Sequence, residues 1–598
     1  MDESLKQARP RAVTRSWPTE LFVGTLVSIG HSLSAHRAET LAGCLLLLMA
    51  TNFFTVIARK TITNDETVLI PSAYYHLVAG NFQLVHELPP ACKLLAGVPL
   101  LFIQPDEVKP DRLAPITDPS ARSWAYMVSF WQDNGARFQT ISFWTRVPAA
   151  LLTLTLGILI FRFARELFGA RAALWALFLF AFEPTVLAHG RVVQTDIPAT
   201  FGFLLVCYAL YHYMKERTWR RALWVGGGAG LALLGKYSML IVAPFLVAVL
   251  LWLLWRAPQV GERRVALALQ AALALLASLF VVNAAYYFHS RALTGADEQW
   301  VAASFPSSFR AVWTSVRVLK HLVPTDFVLG IYWQLRHNRE GHSASLLGMY
   351  SQHGWWYYFP VAFALKTTLP FLLLSLASLG WALYRLIARR ERVLLILIVP
   401  LLIYTAFVMM SNINIGVRYF LPAYPFLFIL GGALLDSLLR LRSWRRVGAA
   451  VALLLVCWVG VEAVRVYPDY MSYMNQLAGP RPDWYYLSDS NVEWGDDVGE
   501  LAEYLRARKV TKVRAALLGG FATLGYCGVE YMDALALPHP ERPDTAYVAI
   551  GASFLNGSTV PGREGLSEQQ RVNFFEQYRA RAPEAVFGGS IYLYRVQD

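Results

Sequence analysis

The chain has 598 residues, of which 56% are hydrophobic, 14% aromatic and only 16% charged, with a mean hydropathy of +0.39. A soluble domain averages about 25% charged residues, so the composition excludes an ordinary soluble enzyme. The net charge of +13 does not point to nucleic acid, because no basic stripe is interleaved with aromatic residues outside the short basic loops described below.

In chain order, the N-terminus carries Lys6, Arg9, Arg11 and Arg15, and the apolar run 21–29 is too short to span and is expected to lie along the interface. The first run long enough to cross a membrane is 41–58. Others lie near 147–164, 171–188, 197–214, 222–235, 237–255, 264–288, 357–385, 393–410, 418–439 and 447–465. The pattern predicts an α-helical polytopic membrane protein of about 11 transmembrane helices. Between these runs fall Arg162/Arg165/Arg171, Lys215/Arg217/Arg220/Arg221, Arg256/Arg263/Arg264, Arg385/Arg389/Arg390/Arg392 and Arg440/Arg442/Arg445/Arg446. If the spans alternate, every cluster faces one side, and the positive-inside rule makes that side the cytoplasm. An odd number of spans then exports the tail. The run 41–58 is too long and too far from the start to be a cleavable signal peptide.

The expected division is a membrane domain over 1–466, with a first outer loop at about 60–146, and a soluble α/β domain over 467–598. Other outer segments are a short loop at 185–196, a tight turn at 235–237, a long aromatic-rich loop at 289–355 and a polar turn at 411–416. In the tail, 498–507 has helical periodicity, with Asp496 and Asp497 placed to favour its N-terminus, and 513–518, 546–550 and 590–595 read as strands. No Walker loop, dinucleotide fingerprint or Cys/His metal cluster is visible. Cys44, Cys207 and Cys457 fall in spans. Cys92 and Cys527 are both expected outside, where oxidation could join them, but spacing alone does not establish a bridge.

The acidic pair Asp65-Glu66 stands just after the first span, and Asp196 heads a later one. Ionisable groups at membrane depth cost about 2.5–3.5 kcal/mol, so they usually mark a site. The same outer face collects Glu87, Lys93, Glu183, His189, Arg191, Lys236, Lys366 and Arg418. Cations at the membrane boundary suit an anion with an apolar tail. A lipid phosphate fits, with Lys236, Lys366 and Arg418 as its clamp and Lys93 as a further member. Asp65, Glu66 and Asp196 are the candidate catalytic acids. Glu87, His189, Arg191, Trp356, Tyr358 and Tyr419 are expected to line a substrate or lipid pocket, although aromatics such as Trp356 and Tyr358 equally suit an interfacial belt. Carboxylates beside such a clamp suit one reaction: a sugar carried on polyprenyl phosphate is attacked at its anomeric carbon by an acceptor hydroxyl that a carboxylate deprotonates.

At these residues the chain resembles the membrane GT-C glycosyltransferases related to protein O-mannosyltransferases and lipid A aminoarabinose transferases (glycosyltransferase family 39-like). Seven blocks match in order: Asp65-Glu66; E-L-P-P-A-C-K-L-L with Glu87, Pro89, Pro90 and Lys93; E-P-T-V-L-A-H-G-R-V-V-Q-T-D with Pro184, His189 and Asp196; G-L-A-L-L-G-K at Lys236; the block from Gly354 to Thr367; R-Y-F-L-P-A-Y-P from Arg418; and D-S-N-V-E-W-G-D-D-V from Asp489. The resemblance implies a GT-C fold, an inverting transferase using a lipid-linked sugar, and a first-loop acid as base. It departs at Leu69 and Ile70, where relatives carry a His, and at Glu493 and Asp496, where relatives carry Asp and Gln. The expected partners are a polyprenyl-phosphate sugar donor, membrane lipids and an acceptor lipid, glycan or protein. No cofactor is expected, and a divalent cation at the acidic site stays open. The expected location is the bacterial inner membrane, N-terminus cytoplasmic and tail periplasmic. The alternatives are a transporter or flippase of lipid-linked sugars, disfavoured because no internal repeat is visible, and a non-catalytic scaffold.

Overall fold

A computed structural model describes residues 36–112, 119–261, 263–440, 445–536, 545–562 and 565–596. The N-terminal basic residues, the run 21–29 and Arg442 lie outside these. Among the described residues, nine helices are long and apolar enough to cross a membrane: Arg37–Ile57, Gly135–Phe168, Asp196–Lys215, Tyr237–Gln259, Arg264–Ala285, Leu369–Ala388, Arg392–Met409, Val417–Leu438 and Arg445–Val466. The other two expected spans do not form single helices long enough to cross. The run 171–188 breaks into Ala170–Phe182 and Pro184–His189, because Glu183 turns out of the helix and Pro184 starts the next. The run 222–235 is the end of a 17-residue helix, Trp219–Gly235, whose first turn carries Arg220 and Arg221.

Burial separates the spans into two kinds. The most apolar window is 83% buried in Val417–Leu438 and 72% in Asp196–Lys215, but only 22% in Tyr237–Gln259 and Arg264–Ala285. The first two are therefore the centre of the bundle and the last two its lipid-facing rim. Asp196 and Arg418 stand at the starts of the two central spans, so protein surrounds charges that would be costly in lipid.

The two ends of the bundle carry different chemistry. At one end Arg165 pairs with Glu39 at 2.5 Å, Arg440 with Asp436 at 2.7 Å, and Arg171 also with Asp436. These residues come from two of the basic loops and the start of the first span, so those two loops share a face. Asp65, Asp196, Lys236 and Arg418 are at the opposite end.

Close packing there is set by small residues. At Gly235 an added Cβ would lie 2.5 Å from the backbone nitrogen of Ala199. Only glycine lets Trp219–Gly235 approach the start of Asp196–Lys215 so closely, and the chain then turns into an extended residue, Lys236.

Beyond the last span, a five-stranded mixed sheet is built from β3 (Lys512–Ala516), β4 (Glu530–Asp533), β5 (Tyr547–Gly551), β6 (Ala585–Phe587) and β7 (Ile591–Arg595), in the order β4-β3-β5-β7-β6. A hairpin of β1 (Ala344–Leu346) and β2 (Met349–Ser351) ends the long outer loop. β3 runs parallel to β4 and β5, whereas β7 is antiparallel to β5 and β6. The helix Val498–Ala507 follows the sequence expectation, and its buried residues Val498, Leu501, Ala502 and Leu505 pack with Val513, Ala515 and Leu593. Strands β4 and β6 escape the periodicity because they are short and only partly buried. All five cysteines are free, so Cys92 and Cys527 are not bridged.

Candidate active site

The helix Asn64–Ala79 starts at a capping box. Thr63 accepts the Glu66 backbone N–H, and the Glu66 carboxylate accepts the Thr63 N–H at 2.7 Å. Glu66 also takes the Nε and Nη2 of buried Arg146 at 2.8 and 2.6 Å, and the Val193 N–H at 2.9 Å. Its lone pairs are committed to fixing this helix against the span carrying Arg146 and the loop at Val193. Glu66 therefore supports its neighbour from a fully buried position rather than facing a substrate. Removing it would leave Arg146 buried and uncompensated. Glu66→Ala is expected to destabilise the protein by ~3–5 kcal/mol, read as a lowered unfolding temperature in detergent, whereas Glu66→Gln should lose less. Equal melting of Glu66→Ala and wild type would contradict this assignment.

Asp65, held in the first turn of the same helix, points the other way. Its Oδ2 accepts Arg418 Nη1 at 2.7 Å, and its side chain is 25% exposed. The same Arg418 nitrogen lies 3.7 Å from Asp196 Oδ2, and the other oxygen of Asp196 accepts Lys236 Nζ at 2.5 Å. Lys236 also stands 3.2 Å above the Tyr419 ring centroid, and the Arg418 guanidinium 4.2 Å above that of Trp494. Two carboxylates and two cations thus converge, framed by two aromatic rings. Asp196 Oδ2 and Arg418 Nε are buried and have no hydrogen-bond partner among the described residues. Such orphans are rare in folded proteins and fit a site that awaits ligand atoms.

The remaining expected site residues fall around this cluster. Lys366 donates to the carbonyls of Met471 and Asn491 at 2.7 and 2.5 Å, and Tyr358 accepts Asn491 Nδ2 at 2.8 Å. Both hold the turn at Asp489–Asn491. Lys93 donates to the carbonyls of Val85 and Leu88 at 2.7 and 2.8 Å, which ties down a turn whose Val85 has a left-handed φ of 55°. Lys93 is thus buried, with its ammonium donating to two backbone carbonyls. Glu87 is half-buried near Lys93, and its carbonyl accepts Gln334 Nε2 at 3.1 Å. Glu183 accepts the Thr368 N–H and hydroxyl at 3.2 and 3.0 Å, securing the break before the span that follows. His189 is buried edge-on to Trp494, with 5.5 Å between ring centroids. Arg191 is buried and reaches Asp496 Oδ2 at 2.8 Å. Trp356 is 67% exposed, as suits an interfacial belt.

Two groups were not singled out from sequence as site members, Trp494 and Asp489. Their signal was the block D-S-N-V-E-W-G itself, read there as a unit rather than residue by residue. Lys60 was also missed. Its ammonium bonds Asp497 at 2.5 Å, Glu500 at 2.6 Å and Asp469. These three acids form the only carboxylate group among the described residues that is close enough to hold a metal ion, and the lysine already fills its centre. Asp497 stands before the helix Val498–Ala507 without capping it, because its carboxylate is engaged by Lys60 and by the Ser590 hydroxyl at 2.5 Å.

Residues 135–288 match the family described as dolichyl-phosphate-mannose-protein mannosyltransferase. The segment holds Arg146, Glu183, His189, Arg191, Asp196 and Lys236, whereas Asp65, Arg418, Asp489 and Trp494 lie outside it. Among solved structures, the chain is similar to ArnT from Cupriavidus metallidurans bound to undecaprenyl phosphate, at 15% identity and a TM-score of 0.44, covering 81% of this chain and 75% of that one. It is similar to the Archaeoglobus fulgidus oligosaccharyltransferase in complex with Zn and sulfate, at 13% identity and a TM-score of 0.44, covering 86% and 68%. The S. cerevisiae protein O-mannosyltransferase Pmt1–Pmt2 complex bound to the sugar donor is similar at 17% identity and a TM-score of 0.30, covering 44% and 35%. No curated protein matches the chain.

Proposed function

We propose that this GT-C protein moves a sugar from a polyprenyl-phosphate donor to a hydroxyl of a cell-envelope acceptor, with inversion, on the outer face of a bacterial inner membrane. The observation that carries the reading is the pairing of Asp65 with Arg418 and of Asp196 with Lys236 in one cluster, with an orphan oxygen on Asp196. Phosphate oxygens of the donor would draw on Arg418 and Lys236, and the polyprenyl tail would stay in lipid. As Arg418 turns to the phosphate, Asp65 is released. It takes the proton of the acceptor hydroxyl while that oxygen bonds to the anomeric carbon. The bond from that carbon to the phosphate oxygen breaks, and its electron pair leaves with the polyprenyl phosphate, whose charge the two cations neutralise. Attack from the side opposite the phosphate inverts the carbon. Asp196 Oδ2, buried without a partner among the described residues, would accept a hydrogen bond from the sugar or the acceptor.

The test is a transfer assay with purified protein, a polyprenyl-phosphate sugar and membranes from a strain lacking this chain. The expected result is release of free polyprenyl phosphate together with a one-sugar mass gain on an envelope component. Movement of the intact donor across sealed vesicles without release would instead establish a flippase. In cells, a reporter active only outside the cytoplasm should be active when fused after Asp598; a silent fusion would reverse the orientation.

A further inference from the structure

The turn Asp489–Asn491 belongs to the region after the last span, yet it is fastened to the membrane elements beside Arg418. Ser490 Oγ donates to the Ile415 carbonyl at 2.8 Å, Val417 N–H to Asn491 Oδ1 at 2.8 Å, and Lys366 to the Asn491 carbonyl. Gly416 makes room, since a Cβ there would meet Ser490 Oγ at 2.4 Å. Asp489 itself adopts a left-handed φ of 54°. That conformation is uncommon outside glycine and, when enforced by surroundings, is concentrated at functional sites. Here the surroundings are the Ser553 hydroxyl, which accepts the Asp489 N–H at 2.7 Å, and the N–H groups of Val492 and Glu493, which bond its carbonyl at 2.9 and 3.0 Å. Its carboxylate accepts the Ser490 N–H at 2.6 Å, the turn is bonded to the residues directly before Arg418, and the charges of Arg418 and Asp65 act on it.

We propose that Asp489 is a third carboxylate of the site and binds the acceptor, holding a hydrogen-bond-donating group of it against Asp65. The inference rests on the transferase reading. Two arguments assign Asp489 to the acceptor and not to the donor. A carboxylate repels the donor phosphate, whereas the cations suited to it, Lys236 and Arg418, come from the membrane bundle. Asp489 comes instead from the segment outside the bilayer, the side from which an envelope acceptor arrives. The ligand class is an acceptor whose hydroxyl or amine groups donate hydrogen bonds.

Burial raises the Asp489 carboxyl to about 6, with Asp65 adding to the rise and Arg418 opposing it. The other titratable groups facing it are Tyr358, Tyr419 and Glu493, and His342 faces the same Asp65–Arg418 pair. Asp489 is charged above its raised value and neutral below, so acceptor binding should weaken as pH falls through about 6.

Asp489→Asn is the informative variant, because Asn tolerates the left-handed backbone. In the transfer assay it is expected to raise the half-saturating amount of acceptor membranes about tenfold or more, since a charge-assisted hydrogen bond contributes ~1.5–3 kcal/mol. Binding of polyprenyl phosphate should be unchanged, and the loss of acceptor affinity below pH 6 should disappear. Ser553→Ala keeps the carboxylate but loosens the turn; it should lower the unfolding temperature and keep that pH dependence. Unchanged acceptor half-saturation in Asp489→Asn overturns the proposal, as does equal weakening toward donor and acceptor. A wild type that releases no polyprenyl phosphate overturns the transferase reading itself.

Discussion

Asp65→Asn is expected to cut turnover by about 10²–10⁴-fold, the usual contribution of a general base. Asn keeps the shape of the side chain and cannot take a proton. In the free protein Asp65 accepts Arg418 Nη1, so the substitution also frees part of the guanidinium. Donor binding should therefore stay the same or tighten slightly, and the loss should appear in kcat. That split separates a base from a residue that only shapes the site. Asp65 is the better placed of the two acids, being partly exposed where an acceptor can reach it, whereas Asp196 is buried and bonded to Lys236. Near-wild-type turnover in Asp65→Asn, with loss in Asp196→Asn and donor binding intact, would exchange their roles. If neither substitution mattered, the paired-acid mechanism would fall.

The second large effect is expected at Arg418. Its guanidinium touches Asp65, approaches Asp196 and lies over Trp494, and its Nε is unsatisfied among the described residues. Arg418→Ala should weaken binding of polyprenyl phosphate roughly tenfold or more, because one charge-assisted hydrogen bond contributes ~1.5–3 kcal/mol. Lys236→Ala should act in the same direction, with an added loss of stability from the buried Asp196 it leaves unpaired. Lys366→Ala should behave differently. Its ammonium is spent on the Met471 and Asn491 carbonyls, so the variant should loosen the Asp489–Asn491 turn and disturb acceptor use more than donor binding. Titration with polyprenyl phosphate in detergent distinguishes these outcomes. Unchanged affinity in both Arg418→Ala and Lys236→Ala would dispose of the clamp.

The sequence by itself determined where the bundle is. Spans follow from runs of apolar residues, and two of the basic loops share one face, as expected because charge at short loops is a local property of the chain. It also singled out Asp65, Asp196, Lys236 and Arg418, conspicuous at the edges of apolar runs, which the fold brings together. Local patterning failed where a run is interrupted from within. Glu183-Pro184 divides 171–188, and only the acceptance of two Thr368 hydrogens by Glu183 makes that break stable. What tertiary structure alone decided is the use of each charge. Glu66 and Asp65 are adjacent, yet one is bound by Arg146, 80 positions away, and the other meets Arg418, 353 positions away. Lys93 and Lys366 look like clamp residues in one dimension but are consumed by backbone carbonyls. Asp489 and Trp494 stand in a block read as a unit in one dimension, and Asn491, Ser490 and Lys366 fasten that block to the elements beside Arg418. Hydropathy is summed over neighbours in sequence, so it can be read along the chain. Ion pairing and hydrogen bonding depend on distances between groups remote in sequence, so only the folded chain fixes which charges are spent on structure and which remain for a ligand.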